Sequence, residues 1–463
     1  MKRKIFMGLL AVACASSLAL ALSACGDNEN KKPSGDNTPP NYTPPPDTGS
    51  TDLLKFELNE DKSGYIVTGL AEGVTDANIA IPAIYNSLPV VEIGERAFGS
   101  RHNLTSVTIG SGVSIIGSGA FTDCINIPSF KFPDSITVIS DSAFQNCTGL
   151  RALRFNETSK LEEISSNAFQ GCNALSTVNI PDSVITIGDR VFQNCSALKN
   201  VTIGNGTETI GIETFRGCDK LESVTIGNSL KYVAERAFLN CTAISELHFP
   251  DSLESVGLGA LQGCTGIKKL TLPFVGSEKY DEPVPEENEY SPNNHTNFGY
   301  IFGASSFHDN SKLSLDNLET LTITGDSPIG YHAFQDIGRF TDASETAGVG
   351  LNTIIITGNV KIIGTGAFQG CYNLQTLVIP KSVTKIGSQI LNVGVIKHVF
   401  YCGTASDWRQ IPNVSASNNQ GLFEVNASGL HFPDPKYYYN ETQPSESGNF
   451  WHYVDGVPTP WGN

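Results

Sequence analysis

The pair Ala-Phe comes back every 23 residues: Ala97-Phe98, Ala120-Phe121 and Ala143-Phe144, then, after one step of 25, Ala168-Phe169. The series continues, with substitutions, through Val191-Phe192, Thr214-Phe215, Ala237-Phe238 and Ala260-Leu261. It resumes at Ala333-Phe334 and Ala367-Phe368 and closes at Ile390-Leu391. A fixed period of this length marks a repeat architecture, because one period cannot bury its apolar face alone while stacked neighbours share a continuous core.

Every period follows one plan. In the fourth full copy Leu175, Val178 and Ile180 form a short alternating strand, stopped by Pro181-Asp182. Alternation turns Val178 and Ile180 inward and leaves Thr177 and Asn179 on the open face. Val184 and Ile187 make a second buried stretch, Gly188 turns the chain, and Val191-Phe192 opens a short helical or irregular turn leading to Cys195. Twelve coils are counted by their leading residues: Leu104, Ile127, Leu150, Leu175, Leu198, Leu221, Ile244, Ile267, Leu318, Leu351, Leu374 and Ile396. At the usual strand spacing the stack is about 55 Å long, and Phe98 to Phe238 should form an aromatic ladder inside it.

The consensus Leu-x-x-Val-x-Ile-Pro-x-x-Val-x-x-Ile-Gly-x-x-Ala-Phe-x-x-Cys, running over about residues 75–402, resembles the 23-residue BspA-type class of leucine-rich repeats. The resemblance implies a β-rich repeat solenoid of parallel strands and short helical or irregular turns, capped at both ends. It also implies a bacterial cell surface and contact with host proteins or other cells; members studied as adhesins bind extracellular-matrix proteins. The matching residues build the scaffold, so they name no ligand.

The chain opens on Lys2-Arg3-Lys4, a mostly apolar run from Ile5 to Ala21, and Leu22-Ser23-Ala24-Cys25. That order is a secretory signal over residues 1–24. Its ending resembles the bacterial lipobox, which implies a lipid on Cys25 after cleavage. Acylation would hold the protein to the membrane without a spanning helix. Residues 26–50 hold Pro33, Pro39, Pro40 and Pro44 to Pro46 and almost nothing apolar, so they read as a semi-extended tether.

Residues 51–78 read as an N-terminal cap, with Phe56-Glu57-Leu58 and Tyr65-Ile66-Val67 flanking a plausible hairpin turn. The solenoid proper covers 79–402, with insertions near 274–313 and 337–350. The first insertion carries an acidic stretch, 278–289, without the regular spacing of a calcium loop. Both are structural candidates for specificity, since long loops on rigid scaffolds often carry function. Residues 403–463 form an aromatic C-terminal end holding all three tryptophans, Trp408, Trp451 and Trp461. Its first reading is a cap over the last coil, because the tail from Tyr437, with Trp451-His452-Tyr453-Val454-Asp455-Gly456-Val457-Pro458, resembles a recurrent ending of that family. The alternative is a carbohydrate platform made by Trp451, Tyr453 and Trp461.

Composition narrows the function. The chain has 30 Lys+Arg against 47 Asp+Glu, a net charge of -17. Without Lys2, Arg3 and Lys4 the balance is 27 against 47, or -20. A nucleic-acid partner, which needs a basic face, is not expected. Eight cysteines, Cys124, Cys147, Cys172, Cys195, Cys218, Cys241, Cys264 and Cys371, stand three residues after the Phe position. A small buried hydrophobe suits that slot, so reduced thiols are expected rather than disulfides. The eight histidines form no His-x-x-x-His pair, and no nucleophile elbow, phosphate loop or dinucleotide fingerprint occurs. No catalytic, metal or cofactor residue is therefore assigned.

What remains is a binding surface. Outward positions of the leading strands are mostly small and polar, as at Ser106/Thr108, Thr177/Asn179, Asn200/Thr202, Ser223/Thr225 and Thr320/Thr322. Against that background Lys131 and Arg154, and Glu246/His248 with Lys269, are the candidate contacts for a partner laid across the strands. The expectation is a monomeric, lipid-anchored, non-enzymatic protein on the extracellular face of a bacterial envelope, recognising an extracellular or host protein such as a matrix protein or mucin. Two alternatives are a carbohydrate-binding protein and an envelope scaffold.

Overall fold

The computed structural model describes residues 51–279, 296–337, 350–391, 396–412, 419, 437–441, 450–454 and 457–461. The chain divides into residues 1–45 and 46–463, and the described residues all belong to the second unit. The expected signal, Cys25 and the expected tether lie outside them. Each coil contributes a leading strand of three or four residues, most add a second strand of two, and both kinds pair in parallel with their counterparts in neighbouring coils over long stretches. The result is a β-solenoid of 23-residue repeats joined by irregular turns.

In the leading strand Thr177–Asn179 only Val178 is buried, as period-2 alternation requires. Parallel register repeats this from coil to coil: Val178 faces Val201 and Asn179 faces Thr202. The second strands form a separate ladder, with Ile164 beside Ile187 and Ile187 beside Ile210. The turns supply a third. The amide of each turn Phe donates to the carbonyl of the next coil's residue before its Phe, from Phe98 to Ala120 through Phe238 to Ala260, at 2.7–3.0 Å. Backbone bonding between coils thus continues even where the chain is neither strand nor helix.

Inside, the rings stack as the periodicity predicts. Successive centroids from Phe98 to Phe238 are 5.3, 5.2, 5.2, 5.6, 5.6 and 5.1 Å apart. All eight repeat cysteines are free and buried. Each Sγ–H donates to the carbonyl of the Phe one coil before, as Cys195 does to Phe169 at 3.3 Å and Cys241 to Phe215 at 3.1 Å. Two backbone positions per turn adopt positive φ: the residue before Ala, as at Arg190 (55°) and Glu213 (54°), and the second after Phe, as at Asn194 (59°) and Gly217 (75°). Asn, Asp and Gly recur at the second of these because they tolerate the left-handed region.

At the start, Leu54–Leu58 and Tyr65–Leu70 form an antiparallel hairpin that continues the second-strand ladder through Leu88–Ile93. Asn78–Ile81 is itself a leading strand, in register with Ser106–Ile109. It adds a coil before the twelve counted from the sequence, giving thirteen leading strands among the described residues. That coil is hidden in the sequence because no Ala-Phe pair precedes it.

The first insertion is not merely a bulge. Its described part contains a 3-10 helix, Phe298–Phe302, that takes the missing place in the turn ladder: Leu261 N–H donates to Ile301 O at 2.7 Å and Phe298 N–H to Ala333 O at 2.9 Å. The Phe298 ring packs 5.0 Å from Phe334, so the internal column continues through the gap. Residues 280–295, with most of the acidic stretch, and 338–349 lie outside the described residues.

The described strands of the C-terminal end extend the sheet. Tyr437–Tyr439 pairs in parallel with His398–Tyr401, Phe450–Val454 pairs with Tyr437–Tyr439, and Val457–Pro460 turns back antiparallel to finish the edge. One element does cover the core. The helix Ala405–Arg409 is capped by Thr404 and Asp407 and places Trp408, fully buried, 5.0 Å from the Tyr401 ring.

Candidate recognition surface

Because leading strands stack in register, their outward residues form two rows across the solenoid. One row runs through Lys131, Arg154, Asn179, Thr202 and Thr225, then His248, Thr271, Thr322, Ile355, Val378, Phe400 and Tyr437. Up to Lys269 these outward side chains are mostly exposed. A parallel sheet is normally covered on both faces, so this polar stretch is an unusual uncovered surface.

The candidate contacts fall on it. Lys131 and Arg154 are direct register partners and both are exposed. Glu246 is opposite Lys269, while His248 faces Thr271. From Arg154 to His248 is four strand steps, about 19 Å. The face therefore carries a cationic pair and a mixed-charge cluster, separated by hydroxyl and amide side chains.

Toward the C-terminal end the same row becomes apolar. Val378, Phe400 and Trp451 form a second buried cluster on the outer side of the sheet, with Ile355, Cys402, Tyr437 and Tyr439 packed against it. Of Trp451, Tyr453 and Trp461, named as the alternative carbohydrate platform, the structure withdraws Trp451 from the surface. Trp451 has no exposed surface, its Nε1–H donates to Tyr401 O at 3.2 Å, and it packs against Phe400, Tyr439 and Tyr453. Trp461 is partly buried, with the His452 ring stacked on it at 3.5 Å. Only Tyr453 of the three is exposed. The signal missed in the sequence is the replacement of outward Thr and Asn by Ile355, Val378 and Phe400.

Beyond the ends of these strands lies a cleft of about 460 Å³, lined among others by Thr357, Asn359, Lys381, Cys402, Tyr439 and Tyr453. Lys381 is 3.6 Å from the Asp407 carboxylate. Burial pushes the Cys402 thiol up to about 12, which keeps it protonated at neutral pH.

The turn side carries a polar ladder. The Gln145 amide donates to Gln170, Gln170 to Gln193, and Gln193 to Glu213, the last at 3.1 Å. Glu213 is held between Arg190 at 3.0 Å and Arg216 at 2.8 Å. Burial raises its carboxyl pKa, but the two guanidinium groups outweigh that and leave it below the ordinary value of 4.5. Its hydrogen bonds are accounted for within the scaffold, so the ladder reads as register support.

Among the described residues no group of three or more His, Cys, Asp or Glu is placed to hold a metal ion, and no helix is long and apolar enough to cross a membrane. Fold and surface define a leucine-rich-repeat solenoid with one open sheet face. The chain belongs to the BspA type leucine rich repeat region family, whose model matches residues 78–199, 162–276 and 346–426. Among solved structures it is similar to a leucine-rich repeat protein from Bacteroides ovatus, at 23% identity over 78% of this chain and 96% of the other, with a TM-score of 0.46. A leucine rich cell surface protein from Faecalibacterium prausnitzii is 24% identical over 79% and 97%, TM-score 0.40. A leucine rich repeat protein from T. pallidum is 27% identical over 47% and 89%, TM-score 0.39. No curated protein matches the chain.

Proposed function

We propose that this is a non-enzymatic recognition protein of the bacterial surface, which binds an extracellular or host protein across the open face of its leading strands. Cys25 carries the lipid anchor after removal of residues 1–24, and residues 26–50 hold the solenoid away from the membrane. The observation that carries the reading is the uncovered parallel sheet face itself, polar and exposed up to Lys269, with charged groups at two places. Lys131 and Arg154 meet acidic groups of the partner, and Glu246, His248 and Lys269 fix its register. Such a rigid, extended surface loses little conformational entropy on binding.

The test is binding of the full-length protein to immobilised matrix proteins and mucin at physiological salt. A saturable interaction weakened by Lys131→Glu with Arg154→Glu is expected. Binding that ignores both substitutions and those at Glu246, His248 and Lys269 would refute the assignment to this face. Membrane fractionation checks the anchor: Cys25→Ala should release the protein, and retention of the variant would overturn lipidation there.

A further inference from the structure

The cleft beyond the strand ends is built differently from the polar face, and its chemistry names a different kind of ligand. We infer that it binds a neutral pyranose unit between the rings of Tyr439 and Tyr453 and the polar rim formed by Thr357, Asn359 and Lys381.

Three observations support this. The lining is divided: Tyr439, Tyr453 and the half-buried Cys402 give one side that is largely apolar, while Thr357, Asn359 and Lys381, all exposed, give the other a hydroxyl, an amide and an ammonium group. A pyranose has the matching division, with C–H bonds on its faces and hydroxyls around its edge. An aliphatic chain would gain nothing from the polar rim, and a strongly hydrated ligand would gain nothing from the rings.

The rings are also held ready. Tyr439 and Tyr453 have centroids 6.3 Å apart, and the buried Trp451 packs edge-on against both, at 5.0 and 4.9 Å. Trp451 is itself anchored to Tyr401 O, so the sugar-facing groups are fixed by a residue the sugar does not touch. Finally, no carboxylate lines the cleft among the described residues, and Lys381 sits 3.6 Å from Asp407. The local charge is balanced, which favours a neutral sugar over an acidic one. At about 460 Å³ the cleft falls within the range of small-molecule sites, roughly 300–1,000 Å³.

The test uses the full-length protein with methyl glycosides of glucose, galactose and mannose, with N-acetylglucosamine, and with N-acetylneuraminic acid and benzyl alcohol as probes of acidic and purely aromatic ligands. Binding is read by ligand-observed NMR. The site is read by protection of Cys402 from N-ethylmaleimide, located by mass spectrometry. At least one neutral pyranoside should bind saturably and slow Cys402 labelling, and Tyr439→Ala or Tyr453→Ala should weaken it about tenfold. Tyr453→Phe, which keeps the ring, should retain most of the affinity. Asn359→Trp alters an exposed rim position, so it should abolish binding while the melting curve is unchanged. Absence of binding by every neutral pyranoside, preference for the acidic or aromatic probe, or binding without Cys402 protection would each overturn the inference.

Discussion

Removing one ring from the middle of the internal column should weaken the solenoid locally and by a calculable amount. Phe192 has no exposed surface and lies 5.6 Å from both Phe169 and Phe215, with ring planes within 5° and 10° of parallel. Phe192→Ala removes the transfer energy and leaves a cavity, about 3–5 kcal/mol in all. Leu261 stands at the same place in another coil and is equally buried, so the fold accepts a branched aliphatic side chain there. Phe192→Leu therefore keeps most of the burial and loses the two ring pairs, roughly 1–2 kcal/mol. Repeat arrays are coupled mainly to nearest neighbours and need not unfold in one step, so hydrogen exchange by mass spectrometry is the better assay. Protection should fall most between the coils of Phe169 and Phe215 and recover beyond them. Equal loss across all coils, or an alanine variant no weaker than the leucine one, would refute the stacked-column account.

Three further outcomes follow from particular contacts. Glu213 has a carboxyl pKa lowered in the folded state, so its stabilising contribution is present above about 4.5 and is lost as pH falls through the lowered value. Because Arg190 and Arg216 are about half exposed, the contribution is about 1 kcal/mol, and Glu213→Gln should remove that share of the acid dependence of the melting temperature. In thiol labelling at neutral pH, Cys402 should react slowly and the eight buried cysteines only after denaturation, since burial pushes thiols such as Cys172 and Cys218 up to about 12. Rapid labelling of the native repeats would contradict their burial. At the terminal edge Trp461 N–H donates inward to Phe450 O, so by alternation the backbone nitrogens of 458 and 460 face outward, where Pro458 and Pro460 carry no hydrogen. Replacing both by Thr should open that edge to pairing, and light scattering should show self-association; a variant that stays as dispersed as the wild type would refute this role.

Much of this was readable because the repeat repeats its physics. The inward Val178 and Ile180, the stacked rings and the buried thiol slot each rest on contacts between equivalent positions of neighbouring coils, so one period stands for all. The polar ladder was readable in principle, since Gln follows Phe at Gln145, Gln170 and Gln193, but its end at Glu213 shifts to another place in the turn. Phe298 escaped notice because the insertion breaks the spacing that would have marked it as a rung.

The tail obeys no period, and there the two levels part. Period and alternation decide the solenoid, its register and the polarity of its open face, because each depends on residues at most one coil apart. They do not decide what becomes of Trp451. Whether that ring meets solvent depends on Tyr401, 50 residues earlier in the chain, and on which side of the sheet Tyr439 and Phe400 project. Long-range pairing placed the tail as added strands, buried one predicted binding residue, and left Tyr439 and Tyr453 beside a cleft that no local pattern announces.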